Sequence, residues 1–263
     1  IYIETIEKIL LLEQQTHDRI QDMQEIKGGL LTIATSTHLS YYVIPKICEL
    51  FCKQYPHVDI RITATQSTER SDMLSKGTAD LAFTPTEDTT PGFTTIPLIE
   101  ENLVVAARRD YPGIQHLLSY ALTYNDIVER NISAEKQINE MSVFHGIDFI
   151  YAPPNSNNFK KRKLIFGDAA STPYINVSQP NQRLNYNLMT SGFGAFLTTD
   201  ADIATMPPNE NCIYFALQNP DAKQSFSVAH GKHSDSPKLR LINEFIHTAK
   251  EFFNCENPLK KLI

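Results

Sequence analysis

Apolar and polar positions follow two rhythms along this chain. Over residues 1–27, Ile6, Ile9, Leu10, Leu12, Ile20 and Met23 recur at a rough three-four spacing among Glu, Gln, Lys and Asp, which predicts one helix ended by Gly28-Gly29. Its apolar seam is thin for a globular core and suits pairing with a second chain; packing on its own domain is the alternative. The texture then changes. Leu30 to Thr35 (LLTIAT) reads as a buried strand. Ile44, Ile47, Cys48, Phe51, Cys52 and Tyr55 mark one face of a helix with Pro45 in its early turn and Pro56 beyond its end. Val58, Ile60, Ile62 and Ala64 alternate with polar residues, predicting a half-buried strand. A short helix follows, with Ser67 as its N-cap and Gly77 just past its end, and then a strand at Leu81-Ala82-Phe83. Strand, helix, strand, helix, strand argues an α/β domain with a largely parallel sheet.

Phe93 to Arg108 holds two more strand-like runs, TTIPLI and NLVVAA. From Asp110 to Gly146 the pattern is polar and irregular, with helices expected around Tyr120 to Arg130 and Ala134 to Met141. A second α/β pattern follows: a strand at Phe149 to Tyr151, a basic helix through Lys160-Lys161-Arg162-Lys163 to Gly167, and a strand at Tyr174 to Val177. A helix over Gln182 to Thr190 then turns at Gly192-Phe193-Gly194 into the strand AFLTT, before strands at Ile213 to Leu217 and Phe226 to His230. Ser236-Pro237 supplies an N-cap and N1 proline for a last helix, whose apolar face is Leu239, Ile242, Phe245, Ile246, Ala249, Phe252 and Phe253.

Composition narrows the function classes. Hydrophobic residues at 41% and charged residues at 21% are ordinary for a folded chain. A net charge of −6 disfavours a surface that grips nucleic acid unaided, because phosphate neutralisation supplies most of that affinity. No apolar run reaches the roughly 20 residues that span a bilayer. No export signal is visible, in keeping with a cytoplasmic protein; the chain opens without a methionine, so its native N-terminus is expected to be absent and a removed signal peptide remains an alternative. Cys48, Cys52, Cys212 and Cys255 form no CxxC pair and are expected to be reduced, structural thiols.

The run Gly29 to Pro85, standing here as GLLTIAT, IPKICELFCKQYPHVDIRI and LSKGTADLAFTP, resembles the start of LysR-type effector-binding domains. SGFGAFLT resembles the glycine turn and strand late in that family's second subdomain, and the N-terminal helix resembles its linker helix. The resemblance extends from about Glu4 to Phe253 and departs from the pattern at 126–146, which looks like an insertion. It implies an α/β fold of two Rossmann-like subdomains with a cleft between them, like a type 2 periplasmic binding protein, preceded by a linker helix. The implied division is 1–28 for the linker and dimerisation helix, 29–108 plus 230–263 for subdomain I, and 109–229 for subdomain II. The implied function is a regulatory domain that senses a small organic effector and alters the geometry of a homodimer or tetramer. Promoter DNA would be met only through a winged helix-turn-helix outside this chain. A solute-binding receptor of a transporter is the alternative on the same two-lobed fold; the N-terminal helix and the lack of an export signal disfavour it. An enzyme such as a dehydratase is a third reading, but no Thr-Arg-aromatic cluster of that kind stands out.

Candidate chemistry sits at strand ends. In an open parallel sheet the carboxyl ends of strands border the ligand crevice, and hydroxyls and free N–H groups there can hold an anion. Ser36 and Thr37 follow the first strand, Gln66 and Ser67 the second, and Thr84 the third. Asn155 and Gln179 follow strands of the second pattern, and Phe193 in the glycine turn could close an apolar flank. Ordinary capping, and core packing for Phe193, are the competing readings. The sequence shows no nucleophile with a base and orienter, so no catalytic residue is assigned. His230 and His233 lack a third ligand and read as surface histidines; no metal or cofactor is expected. Lys160 to Lys163 reads as a solvated helix face.

Overall fold

The computed structural model describes residues 28–85, 92–150, 157–167, 182–231 and 238–263. The expected N-terminal helix, the strand at Tyr174 to Val177, the Ser236-Pro237 cap, His233, Asn155 and Gln179 lie outside the described residues.

The first sheet is built as its hydrophobic rhythm demands. β1 (Gly29–Thr35) lies between β2 (Val58–Ala64) and β3 (Leu81–Pro85) and runs parallel to both. Between β1 and β2 the chain forms α1 (Thr37–Tyr42) and α2 (Ile44–Gln54); between β2 and β3 it forms α3 (Ser67–Ser75). α1 is absent from the sequence expectations: THLSYY is too short to show a period. Gln66, not Ser67, is the N-cap of α3, and Glu69 reaches back to the Gln66 N–H at 3.4 Å. Gly77 leaves α3 with φ +66°, a conformation that favours glycine. On α2, Ile44, Ile47 and Phe51 are buried, while Cys52 is exposed. At 100° per residue, position 52 stands about 80° around the helix from position 44, at the rim of the apolar face. The alternation in β2 fades towards its end, where Ile62 is exposed, because β2 is the edge strand.

The two runs TTIPLI and NLVVAA are one strand, β4 (Phe93–Arg108). Its first part, to Asn102, pairs antiparallel with β8 (Lys223–Gly231), which in turn pairs antiparallel with β3. From Leu103 onward it pairs with β6 (Phe196–Thr199), and over Val104–Arg108 with β7 (Cys212–Leu217). A single strand therefore carries the chain from the first sheet into a second. The sequence boundaries at 108 and 230 lie beyond the positions, 102/103 and 223, at which the pairing changes sheet.

The expected helices of the 110–146 stretch are fragmentary. A 3-10 turn spans Pro112–Tyr120 and α4 covers only Tyr124–Val128; Ala134–Lys136 is a second 3-10 turn, leading into the two-residue β5 (Gln137–Ile138) on β7. α5 (Asn157–Phe166) is the basic helix, α6 spans Gln182–Thr190, and the five-residue α7 (Asp200–Ala204) follows β6 directly. Arg162 on α5 is buried with its guanidinium 5.5 Å from the Phe159 ring, so that helix is not solvated throughout. α8 (Leu239–Phe253) buries Ile242, Phe245, Ile246, Ala249, Phe252 and Phe253 as expected, with Leu241 in place of Leu239.

These elements make two lobes. One core gathers Leu31, Ile33, Phe51, Phe83, Phe226 and Phe245 around the first sheet, with Phe51 and Phe83 edge-on to Phe245 at 5.0 and 6.3 Å between ring centroids. Two further cores sandwich the second sheet. The short helices α4 and α7 are shared: Val128, Ala201 and Ala204 belong to the first core, while Ile127 and Ile203 belong to the second lobe.

Candidate functional site

Strand register brings the first-lobe candidates to one edge. Thr35 pairs with Ala64 and Ala34 with Ala82, so Ser36 stands level with Thr65 and Thr84 at the carboxyl ends of β1, β2 and β3. Ser36 and Thr37 are half-buried, Gln66 is exposed and Thr84 is buried. Ser36 is already engaged: its Oγ accepts from the Leu39 N–H at 3.3 Å as the N-cap of α1. Thr35, fully buried beside it, has a hydroxyl with no partner. Backbone alone is described for Ser67.

Phe193 is not part of this group. β6 begins beside Ala106 and ends at Thr199 beside Leu103, where β4 leaves the first sheet. The glycine turn therefore lies at the far end of the second sheet, and Phe193 is half-exposed there. A Cβ on Gly194 would come within 2.5 Å of the Asp148 carbonyl, so the turn's glycines serve a close backbone approach. The correction is one of strand direction: the interlobe residues are those after β6, not those before it. A cavity of about 280 Å³ bordered by Arg108, Arg109, Thr190, Asn209 and Asn211 opens at the same far end.

The polar residues between the lobes are ones the sequence reading passed over. His38 on α1 faces Asp202 and Thr205 around α7, with its Nε2 3.2 Å from Asp202 Oδ1 and 3.0 Å from Thr205 Oγ1. The Thr205 hydroxyl donates to the Asp202 carbonyl at 2.7 Å, so it accepts from His38 Nε2–H. That assigns the proton to Nε2 and leaves the buried Nδ1 with no partner. The contact has the spacing of an ion pair, yet burial, the largest influence, lowers the His38 pKa against the pull of Asp202, with Arg183 acting in the same direction as burial. We therefore treat it as a hydrogen bond from a neutral imidazole.

Asp202 also accepts from Thr198 Oγ1 at 3.1 Å and from Gln182 Nε2 at the start of α6. Asp200 accepts from the Asn102 N–H and side-chain amide at 3.0 and 2.9 Å, and Arg130 Nη2 lies 2.9 Å from its Oδ2. Arg130 adopts φ 54°, the one non-glycine left-handed residue among those described, and its Nη2 also donates to the Glu100 carbonyl at 2.6 Å. Glu101, on β4 at the crossing, is buried and accepts from Gln224 at 2.7 Å. Burial, reinforced by Asp202, pushes its carboxyl up to about 8. Burial also raises Asp200, against the opposing effect of Arg130. The sequence signals for this cluster were slight: acids inside the apolar run IEENLVV, and the Thr-Asp-Ala-Asp of a capped short helix.

Other candidate chemistry stays apart. Burial pushes the Cys48 thiol up to about 12, with Cys52 adding to the rise, which keeps it protonated. His230 is buried in β8, and no group of three or more metal-ligating side chains occurs among the described residues. No helix among them is long and apolar enough to cross a membrane.

Comparison with known proteins places this geometry in a wider setting. The sequence model of the LysR substrate binding domain matches residues 24–251. A probable RuBisCO transcriptional regulator of Trichormus variabilis is 30% identical over 102 residues, covering 38% of this chain and 30% of that protein. Its counterpart in Cyanophora paradoxa is 26% identical over 191 residues, covering 69% of this chain and 59% of the relative. The chain thus spans well under two thirds of these relatives. Among solved structures, an H2O2-bound mutant of Corynebacterium glutamicum OxyR shares the fold at TM-score 0.66 and 16% identity, over 94% of this chain and 72% of that one. The BenM effector binding domain with its effector benzoate gives TM-score 0.62 and 19% identity, over 86% of this chain and 92% of that one.

Proposed function

Because the chain belongs to the LysR substrate-binding-domain family, we propose that it is the sensing part of a transcription regulator, binding one small organic effector between its two lobes. The observation that supports this most is the convergence of Ser36, Thr37, Gln66 and Thr84 at the carboxyl edge of the first sheet, where α1 meets α7 of the other lobe. Hydroxyls and amides at such an edge hold a carboxylate without a buried cation. The benzoate held by the fold neighbour BenM supports an anionic effector of that class. Asn155, Gln179 and Ser67 remain candidate contacts, and Phe193 is withdrawn. The match to the LysR family model disfavours the transporter-receptor reading, and the family contains regulators rather than enzymes. In the whole protein, the chain acts as a homodimer or tetramer in the cytoplasm, and a separate winged helix-turn-helix meets promoter DNA. Effector binding shifts the population between lobe arrangements and so the assembly.

A thermal-shift screen of the chain against organic acids, followed by calorimetry, tests the site. Hydrogen bonds to a charged ligand group are worth about 1.5–3 kcal/mol, so Ser36→Ala or Gln66→Ala should weaken binding about tenfold or more. A ligand bound with full affinity by both variants would place the pocket elsewhere. Light scattering tests the assembly; a strictly monomeric species of 29.8 kDa contradicts it.

A further inference from the structure

The seam between the lobes holds more acid than base. Around Asp202 and Asp200 on α7 and Glu101 on β4, the cations are Arg130, bonded to Asp200, and Arg183 on α6, whose charge acts on His38. The remaining partners are neutral: Gln182, Thr198, Thr205, Gln224 and Asn102. Tyr42 packs its ring 5.0 Å from that of His38 on the α1 side. Among the described residues, three buried or nearly buried carboxylates thus gather here, with the guanidinium of Arg130 bonded to Asp200, and His38 keeps a buried, unpartnered Nδ1. A proton held within the cluster offsets part of the excess negative charge of these described groups.

We propose that His38, Glu101 and Asp202 form a proton-linked latch between the two lobes, closed while Glu101 is protonated and His38 neutral. Losing the Glu101 proton leaves a buried carboxylate held by Gln224 but repelled by Asp202, which water entering the seam relieves. Adding a proton to His38 Nδ1 creates a buried N–H with no acceptor, and the same relief applies. Either change loosens the contact between α1 and α7. The latch rests on this lobe geometry alone and stands whether or not an effector binds in the cleft. The two flanks have opposite signs. Glu101 is raised from 4.5 to about 8, so its contribution is complete below 4.5 and is lost as pH rises through about 8. His38 is lowered from 6.5, so its contribution is complete above 6.5 and is lost as pH falls through the lowered value.

The test compares the whole chain with its Glu101→Gln and His38→Gln variants by amide hydrogen exchange from pH 5.5 to 9, corrected for the intrinsic rate. In the wild type, exchange in α7 should accelerate about tenfold between pH 7 and pH 9 while β1 stays protected, and Glu101→Gln should abolish that acceleration. His38→Gln should remove the loosening on the acid side only. An unchanged pH profile in Glu101→Gln, or equal acceleration in β1 and α7, overturns the latch. If a variant fails to fold, NMR of the wild-type His38 ring decides. A neutral Nε2–H form persisting below pH 6.5, with a second shift change near pH 8, supports the latch, and a single step near 6.5 overturns it.

Discussion

The first-lobe core and the interlobe seam hold together by opposite means. The core is continuous apolar contact: Phe51, Phe83 and Phe245 interlock with aliphatic residues from β1, α2 and α8. Among the described residues, the seam has few apolar contacts, through Tyr124, which packs on a core of each lobe, and Val128, Ala201, Ala204, Ile127 and Ile203, beside a buried polar cluster. Apolar burial is non-directional and insensitive to pH. Buried acids are stabilising only while every charge has its partner. The core therefore sets whether a lobe exists, and the seam sets how firmly the lobes hold one another.

The largest effect should come from the core. Phe245→Ala removes a fully buried ring and should cost about 3–5 kcal/mol in urea denaturation, with little change in its pH dependence. A pH-dependent loss of that size would erase the contrast between the two regions. Asp200→Ala comes next. It leaves Arg130, whose side chain is 29% exposed, without its carboxylate. We expect a loss of about 2–3 kcal/mol, below the full cost of breaking a buried pair because Arg130 reaches solvent. Third, acidification should loosen the seam before the core. His38 is held neutral by burial, so as pH falls below 6.5 the α7 amides should lose protection while β1 and α8 amides keep theirs. Simultaneous loss in all three would mean that seam and core are one unit. The smallest effect belongs to Ser36→Ala, where loss of the α1 cap should cost about 1 kcal/mol of stability. Its effect on ligand affinity should exceed its effect on stability; the reverse would make Ser36 a cap and nothing more.

Legibility follows the same division. α2, β2, α6 and α8 emerged because each buries one face against its own lobe, and β1 and β3 because each is a short apolar run buried on both faces. The 110–146 stretch did not, since its 3-10 turns at Pro112–Tyr120 and Met141–Phe144 and the two-residue β5 pack Ile114, Leu117, Phe144 and Ile138 into the core without completing a period. The placement of Ser36, Thr37, Gln66 and Thr84 at one sheet edge was legible because strand ends in a parallel sheet share an edge. Phe193 was misplaced because a glycine turn does not reveal which end of its strand points inward.

The amino-acid sequence alone determined the order of elements, the α/β class and the apolar faces, since these depend on spacings of two to four residues that local backbone geometry reads directly. Tertiary structure alone decided that TTIPLI and NLVVAA are one strand serving two sheets, and that His38 meets Asp202, 164 positions further along the chain. It also decided that Glu101 is buried beside two other acids rather than solvated on a strand. The reason is physical: a carboxylate's chemistry is set by which charges and how much water surround it, and those neighbours come from distant parts of the chain.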